Sequence, residues 1–278
     1  MLGLIFTSIG TFFEEIATSI GKHEVENHRE STYTMAVLSL IWGLVFLGVM
    51  ALAGIAPFIF SLKSLPTFAT RFVLEVFQVH VALIGIIRAD RSTAGFIRTG
   101  TIPLLLLMDL FLGYSLGLYQ FLGIGLVIIS LILVFVEKEI SRNGLGFLML
   151  GTINAVFTIS LYKYNISNFN SVAAEQVIMY TLLVVYFFLV AHFIAKENPF
   201  RMMRRPLLLT QSVADGIAGV FQSFAFVFAP ASVILSAKRS SAVLWSTLAG
   251  NVYFHERHIL LKLAVVCMLI GGIALMAF

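Results

Sequence analysis

Long apolar runs fill this chain almost end to end, each of roughly the 20 residues that a helix needs to cross a bilayer, with only short polar stretches between them. Hydropathy places ten such segments, at about 2–20, 33–60, 66–87, 92–112, 117–136, 144–163, 172–194, 206–229, 231–254 and 259–277. Nothing of domain size is left outside them, so any chemistry has to take place within or between helices. Composition agrees: 59% of the 278 residues are apolar and 12% are charged, against about 25% charged in a water-soluble domain. The mean hydropathy is +0.99. The expected fold class is an all-α membrane protein of ten transmembrane helices, multi-pass in the plasma (inner) membrane.

The first segment, MLGLIFTSIGTFFEEIATSIGK, has neither a basic leader nor a small-residue cleavage site, so it reads as a membrane helix rather than a signal peptide. A single cysteine, Cys267, gives neither a disulfide framework nor a thiolate metal cluster. Lys and Arg total 18 against 14 Asp and Glu. In a soluble domain that excess would point to nucleic acid; here the cations fall in the connections, where they anchor a membrane protein. One side of the membrane receives Lys22, Arg29, Arg88, Arg91, Lys138, Arg142, Lys196, Arg201, Arg204, Arg205 and Arg257, and the other little beyond Lys63 and Lys163. The positive-inside rule then puts both termini outside. Pro66, Pro206 and Pro230 fall near helix ends, whereas Pro57 and Pro103 lie inside segments and predict bends there.

Ten segments divide into five and five, and an odd-numbered unit inverts its orientation when duplicated. Sliding the chain against itself by about 141 residues sets IRTGTIPLLLL over KRSSAVLWSTL and Arg98 over Arg239. The same shift lays LYQFLGIGLVIISLILVF over LLKLAVVCMLIGGIALMAF, and ATSIGK over TISLYK. The expected organisation is a first five-helix repeat over 1–140 and a second, inverted, over 141–278, with a site between them.

The C-terminal stretch FAPASVILSAKRSSAVLWSTLAGNVYFHERHILLKLAVVCMLIGGIALMAF joins an A-P-A-S turn, a helix ending before the dipeptide Glu256-Arg257, and a last helix with Gly271-Gly272 in its middle. These features resemble the closing helix pair of the drug/metabolite transporter superfamily, in its ten-helix EamA-like branch. At the matching turn the first half reads FLGYSLGL, with Tyr114 or Ser115 where an acid is expected. The resemblance implies export or import of small organic metabolites by alternating access and leaves the substrate open.

Charges inside the apolar segments single out the candidate site, since one at the bilayer centre costs roughly 2.5–3.5 kcal/mol even on lenient insertion scales. Lys238 and Arg239 stand side by side in the ninth segment. Ser232, Ser236, Arg239 and Ser246 recur at helical spacing toward Gly250, and Trp245 lies two turns beyond Lys238. The functional reading is a cationic patch for a carboxylate or phosphate; the alternative is an ion pair that ties helices together. In the eighth segment, Ser212, Asp215 and Gln222 share a face. Desolvation favours the neutral form of a carboxylate and a nearby arginine the ionised form. Asp215 therefore either carries a coupled proton or forms a standing bridge to Arg239. Thr7, Thr11, Glu14 and Thr18 line one face of the first helix, with Glu15 at its border. Arg71 and Glu75, four apart, can pair on their own helix. Arg98 sits one turn before Pro103.

Lesser candidates are Glu175 at a helix start, the lone histidines His80 and His192, and Trp42. The run HEVENHRE reads as a solvated loop, and the NIS at Asn165 as a bare match to a glycosylation acceptor. No nucleotide-binding loop occurs, so the chain itself does not use ATP. The expected function is secondary transport of a small polar or zwitterionic, amino-acid-like metabolite. Arg239, Lys238, Arg98, Ser236, Trp245 and Gln222 hold it, and Asp215, Glu14 or Glu15 takes a proton. Neither a cofactor nor a metal is expected. The partners are the substrate and membrane lipid, with the chain a monomer or homodimer. The alternatives are an intramembrane enzyme acting on a lipid head group, which would need a nucleophile with its base or an acidic metal cluster, and a structural or channel-like protein.

Overall fold

The computed structural model describes residues 1–26, 31–88, 97–135, 144–253 and 259–276; side chains at 21–26, 32, 82–88, 134–135, 246–253, 259–263 and 266 lie outside the description. Ser246, the HEVENHRE run and Lys22, Arg29, Arg88, Arg91, Lys138, Arg142 and Arg257 therefore fall outside the described side chains.

Among the described residues the chain is helical, without a β-strand. Its long elements are α1 (Leu2–Glu26), α2 (Thr32–Leu52), α3 (Leu65–Arg88), α4 (Thr101–Phe111), α5 (Leu118–Phe135), α6 (Leu145–Asn168), α7 (Val172–Phe193), α8 (Pro206–Phe228), α9 (Ala231–Tyr253) and α10 (Ile259–Met276). Single turns at Leu62–Ser64 and Pro199–Met202 join them. Three stretches are long and apolar enough to cross a membrane: Tyr33–Leu52 of α2, Leu145–Asn168 of α6 and Val172–Phe193 of α7. Large apolar side chains also stand exposed along outer faces, among them Val45, Val49, Phe77, Leu107, Ile129, Ile153 and Val185. A water-soluble monomer rarely presents that much contiguous apolar surface.

Two helix ends differ from the sequence expectation. The segment over 33–60 stops being helical at Leu52, because Gly54 takes a left-handed φ of 71° and Ile55 N–H returns to Met50 O at 2.9 Å. Pro57 thus lies in the extended connection and bends no helix. The segment over 92–112 is interrupted at Gly100, after a helical stretch at 97–99, and α4 begins at Thr101. Pro103 then occupies the first turn of α4, where the missing N–H costs nothing. Gly113, with φ 81°, closes α4 as Gly54 closes α2.

The helices pack through small residues. A Cβ on Gly3 or Gly10 of α1 would meet Phe228 Cβ at 3.0 Å or Gln222 Cγ at 2.9 Å, so α1 lies directly on α8. Gly216 of α8 admits α2: a Cβ there would be 2.5 Å from Trp42 Cβ and 2.8 Å from Gly43 N. Gly123 and Gly272 do the same between α5 and α10, where a Cβ on Gly123 would be 2.7 Å from Gly272 O. Gly216→Ala is expected to push α2 off α8 and destabilise by about 1–3 kcal/mol, the usual cost of overpacking. A thermal melt of the detergent-purified protein checks this.

The remaining broad contacts are α2 with α7, α3 with α6, α1 with α9, and α4 with both α6 and α9. Buried apolar side chains gather in two main places. Leu4, Ile102, Val127, Val233 and Leu269 join α1, α4, α5, α9 and α10, while Val37, Phe68, Met179 and Phe187 join α2, α3 and α7.

Candidate functional site

Glu14 continues the stripe of small residues on α1 that seats the helix on α8, so its carboxylate points at α8 and α9 rather than outward. Gln222 Nε2 donates to Glu14 Oε2 at 2.5 Å, and Lys238 Nζ reaches the same oxygen at 2.9 Å. Lys238 also donates to Gln222 Oε1 at 2.9 Å, closing a triangle between α1, α8 and α9. This triangle is not sealed: the Lys238 and Glu14 side chains are 23% and 34% exposed. Trp245 flanks it, its indole N–H donating to Ser8 O at 3.1 Å and its ring set edge-on to Phe12.

Arg98 and Arg239 complete the cluster. Arg98 stands on the helical stretch before Gly100, and Arg239 follows Lys238 about 100° around α9. Both are half-buried, and Arg98 is within electrostatic reach of Arg239. Glu14 is within electrostatic reach of both, and Glu15 of Arg239. Arg239 Nε is fully covered and has no hydrogen-bond partner among the described residues. The structure thus brings Glu14, Gln222, Lys238, Arg239 and Trp245 together from α1, α8 and α9, with Arg98, on the short helical stretch before α4, within electrostatic reach of Glu14 and Arg239.

Other expected members go elsewhere. Asp215 makes no ion pair with Arg239 among the described residues; its carboxylate accepts a short hydrogen bond from Ser39 Oγ of α2 and stays within electrostatic reach of Glu14 and Lys238. Ser212 Oγ donates to Leu38 O at 2.5 Å. The polar face of α8 is therefore divided, with α2 taking one end and α1 and α9 the other. Ser236 is fully buried, lies about 200° around α9 from Lys238, and has no hydrogen-bond partner among the described residues. It does not reach the exposed part of the cluster.

Arg71 belongs to a second, sealed network. It meets Glu75 at only 3.4 Å, and its closer carboxylate is Glu175 of α7 at 2.9 Å. It also donates to Gln176 Oε1 at 3.1 Å and lies 4.5 Å over the ring of Tyr162. Glu175 further accepts from Asn165 Nδ2 at 3.0 Å and Asn170 Nδ2 at 2.6 Å. Asn165 is fully buried, so the match to a glycosylation acceptor has no accessible amide behind it. His80 is held by Tyr186 Oη at 3.0 Å, and His192 stacks on Phe188.

The sequence reading looks for an acid at Tyr114 or Ser115 and passes over Asp109, one turn earlier on α4. Asp109 is buried and accepts the N–H groups of Ala231 and Ser232 at 3.3 and 2.7 Å, which caps α9 just after Pro230. Lys163 of α6 donates to Phe226 O at 2.5 Å near the end of α8. The break between α8 and α9 is thus pinned on both sides. A lone acid in LLLLMDLF is the signal that could have found it. Asp109→Ala is expected to cost about 1–2 kcal/mol, the range for losing an N-terminal helix cap, read as a lower melting temperature.

No protein-family model and no curated protein matches the chain. Among solved structures 25 chains match. One, described only as "Crystal structure of protein", covers 98% of this chain and 98% of its own with a TM-score of 0.68 at 13% identity. That likeness concerns the fold alone.

Proposed function

We propose that the chain is a secondary carrier for a small polar organic metabolite, multi-pass in the plasma (inner) membrane. Its ten helices act as two inverted five-helix units, over 1–140 and 141–278, in the manner of the drug/metabolite transporter superfamily. The observation that carries this reading is the half-buried, partly exposed charge cluster between α1, α8, α9 and the short helical stretch before α4. Charges in membrane helices are rare and mark substrate or ion pathways. Arg98 and Arg239 hold the anionic end of the cargo, and Trp245 borders it. Lys238, Gln222 and Glu14 form the rearrangeable part, and Asp215 or Glu14 takes the coupled proton.

The helix pairing supports the two-unit reading. Exchanging each helix for the one five places on turns α1–α8 into α6–α3 and α1–α9 into α6–α4, while α2–α7, α4–α9 and α5–α10 map onto themselves. The exchange is incomplete: the broad contact of α2 with α8 has only a slight counterpart between α7 and α3, and the contacts of α9 with α10 and with α5 have no counterpart of comparable breadth between α4 and α5 or α4 and α10 among the described residues. At the α6–α3 crossing, which corresponds to α1–α8, Asn154 Nδ2 donates to Gln78 Oε1 at 2.7 Å, close in sequence to Ala155 and Val81, where the shift of about 141 residues puts the mates of Glu14 and Gln222. A polar pair thus recurs at the corresponding helix crossing in each half, charged in one and neutral in the other. Inverted-repeat carriers place their sites between such halves.

The test is counterflow in sealed vesicles containing the purified protein, over a panel of labelled polar metabolites. The account expects saturable exchange that disappears when the vesicles are made leaky. Lipid head-group conversion that proceeds equally in leaky vesicles, with no exchange of any solute, would replace it with an intramembrane enzyme.

A further inference from the structure

The network around Arg71 is closed at Glu175, which is fully buried, and open at Glu75, whose side chain is 24% exposed. That exposure is not toward lipid. The outward face of α3 carries Val73 and Phe77, 64% and 45% exposed, and Glu75 lies about 200° around the helix from each. It continues instead the inward stripe of Phe68 and Arg71, both 4% exposed. An inward carboxylate that keeps accessible surface borders a space inside the bundle. We infer that Glu75 is a binding site for a small monovalent cation, a proton or a sodium ion. Its use as a second coupling carboxylate, beside Glu14 or Asp215, rests on the carrier reading; the site itself does not.

The tie from Glu75 to Arg71 is loose enough to exchange. It is a contact of 3.4 Å, whereas Arg71 meets Glu175 at 2.9 Å and Gln176 at 3.1 Å, and Arg71 Nε is covered without a partner among the described residues. Glu75 therefore does not hold the guanidinium in the paired geometry that makes arginine–carboxylate bridges strong. Arg71 keeps its nearer counter-charge when Glu75 is neutralised, so a cation can load and leave without stranding it. The charged and titratable groups around Glu75 are Arg71 on its own helix, Tyr162 of α6, and Glu175 and Tyr180 of α7. Lys63, in the connection before α3, is exposed and about three turns away. One turn further along α3, Gln78 Oε1 accepts from Asn154 Nδ2 at 2.7 Å, at the crossing that corresponds to α1–α8. Each of the two crossings thus has a partly exposed carboxylate, Glu14 at 34% in one and Glu75 at 24% in the other.

The test is labelling of the intact, detergent-purified protein with a hydrophobic carbodiimide, which reacts with protonated carboxyl groups, read by peptide mass spectrometry. Glu75 is expected to be modified at low pH and Glu175 to be spared. Above its midpoint the labelling should fall about tenfold per pH unit, as the protonated fraction does. A further fall when sodium chloride replaces choline chloride at one pH marks a sodium site, and no such fall marks a proton site. Glu75→Gln should lower the melting temperature by no more than about 2 °C, since only a long, partly exposed contact is lost. In sealed vesicles it should keep exchange of any solute that the unaltered protein exchanges and lose accumulation driven by a gradient of the cation, and Glu75→Asp should restore part of that accumulation. Glu75 unmodified from acid to alkaline pH, labelling that neither pH nor sodium changes, or a melting temperature for Glu75→Gln as low as that of Glu175→Ala would each overturn the inference. Titratable labelling in a protein that exchanges no solute would keep the cation site and sink the carrier; exchange without such labelling would do the reverse.

Discussion

Arg239→Gln is expected to reduce transport about a hundredfold and to leave the melting temperature unchanged or raised. Both halves of that result follow from one geometric fact. Arg239 Nε is buried without a hydrogen-bond partner among the described residues, and the side chain lies within electrostatic reach of Arg98, Glu14 and Glu15. A residue that holds helices together loses partners when it is truncated, and the fold weakens. Arg239 Nε has no such hydrogen bond to lose, so truncating the side chain removes only longer-range attraction to Glu14 and Glu15, set against repulsion from Arg98. In the loaded carrier the guanidinium is bonded to an anion, and truncating one side of a desolvated charge pair typically costs 2–5 kcal/mol, which covers the hundredfold loss. Uptake into vesicles and a thermal melt of the same preparation measure the two quantities. A melting temperature that falls together with activity would make Arg239 structural.

The opposite signature is expected at Glu175. Its carboxylate is fully buried and receives Arg71, Asn165 and Asn170, which joins α3, α6 and α7. Glu175→Ala strands the Arg71 guanidinium, itself 4% exposed, with only the longer 3.4 Å contact to Glu75 as a counter-charge. Breaking a buried pair from one side costs about 3–5 kcal/mol, a fall of roughly 5–10 °C in a chain of this size. The double variant Arg71→Met with Glu175→Leu should recover part of that loss, since it removes the stranded guanidinium, while Glu75 keeps 24% of its side chain in contact with solvent and the Asn165 and Asn170 amides lose their acceptor. If the double variant melts lower than Glu175→Ala, the network has a stabilising role beyond neutralising Arg71. The two networks thus separate by sign: removing Arg239 from the first reduces transport and spares the fold, and removing Glu175 from the second destabilises it.

Which helices exist is legible in the sequence, because apolar runs of bilayer length leave few alternatives. Where they stop is less so. The apolar pattern continues through Ala53 to Phe60, but a left-handed Gly54 and the extended backbone at Pro57 end α2 at Leu52. Periodicity also predicts which residues share a face without saying which neighbour meets that face. Ser212, Asp215 and Gln222 do lie along one side of α8, yet α2 crosses at the first two and α1 at the third. For that reason Asp215 pairs with Ser39 and the ion pair forms between Glu14 and Lys238. Glu14 itself was visible as one carboxylate of a Glu-Glu pair. Its inward direction depends on Gly3 and Gly10 letting α1 sit against α8, a tertiary fact. Asp109 escapes notice because capping a helix 122 residues later leaves no local pattern.

The most direct test of the central claim is access to the cluster from both sides of the membrane. In a Cys267→Ser background, Gln222→Cys is placed in sealed vesicles and exposed to a membrane-impermeant thiol reagent from outside or from inside. The carrier account predicts labelling from either side and slower labelling from both when a transported solute is present. Labelling from one side only, or from neither, would mean that the charges between α1, α8 and α9 are not alternately exposed, and would contradict the account.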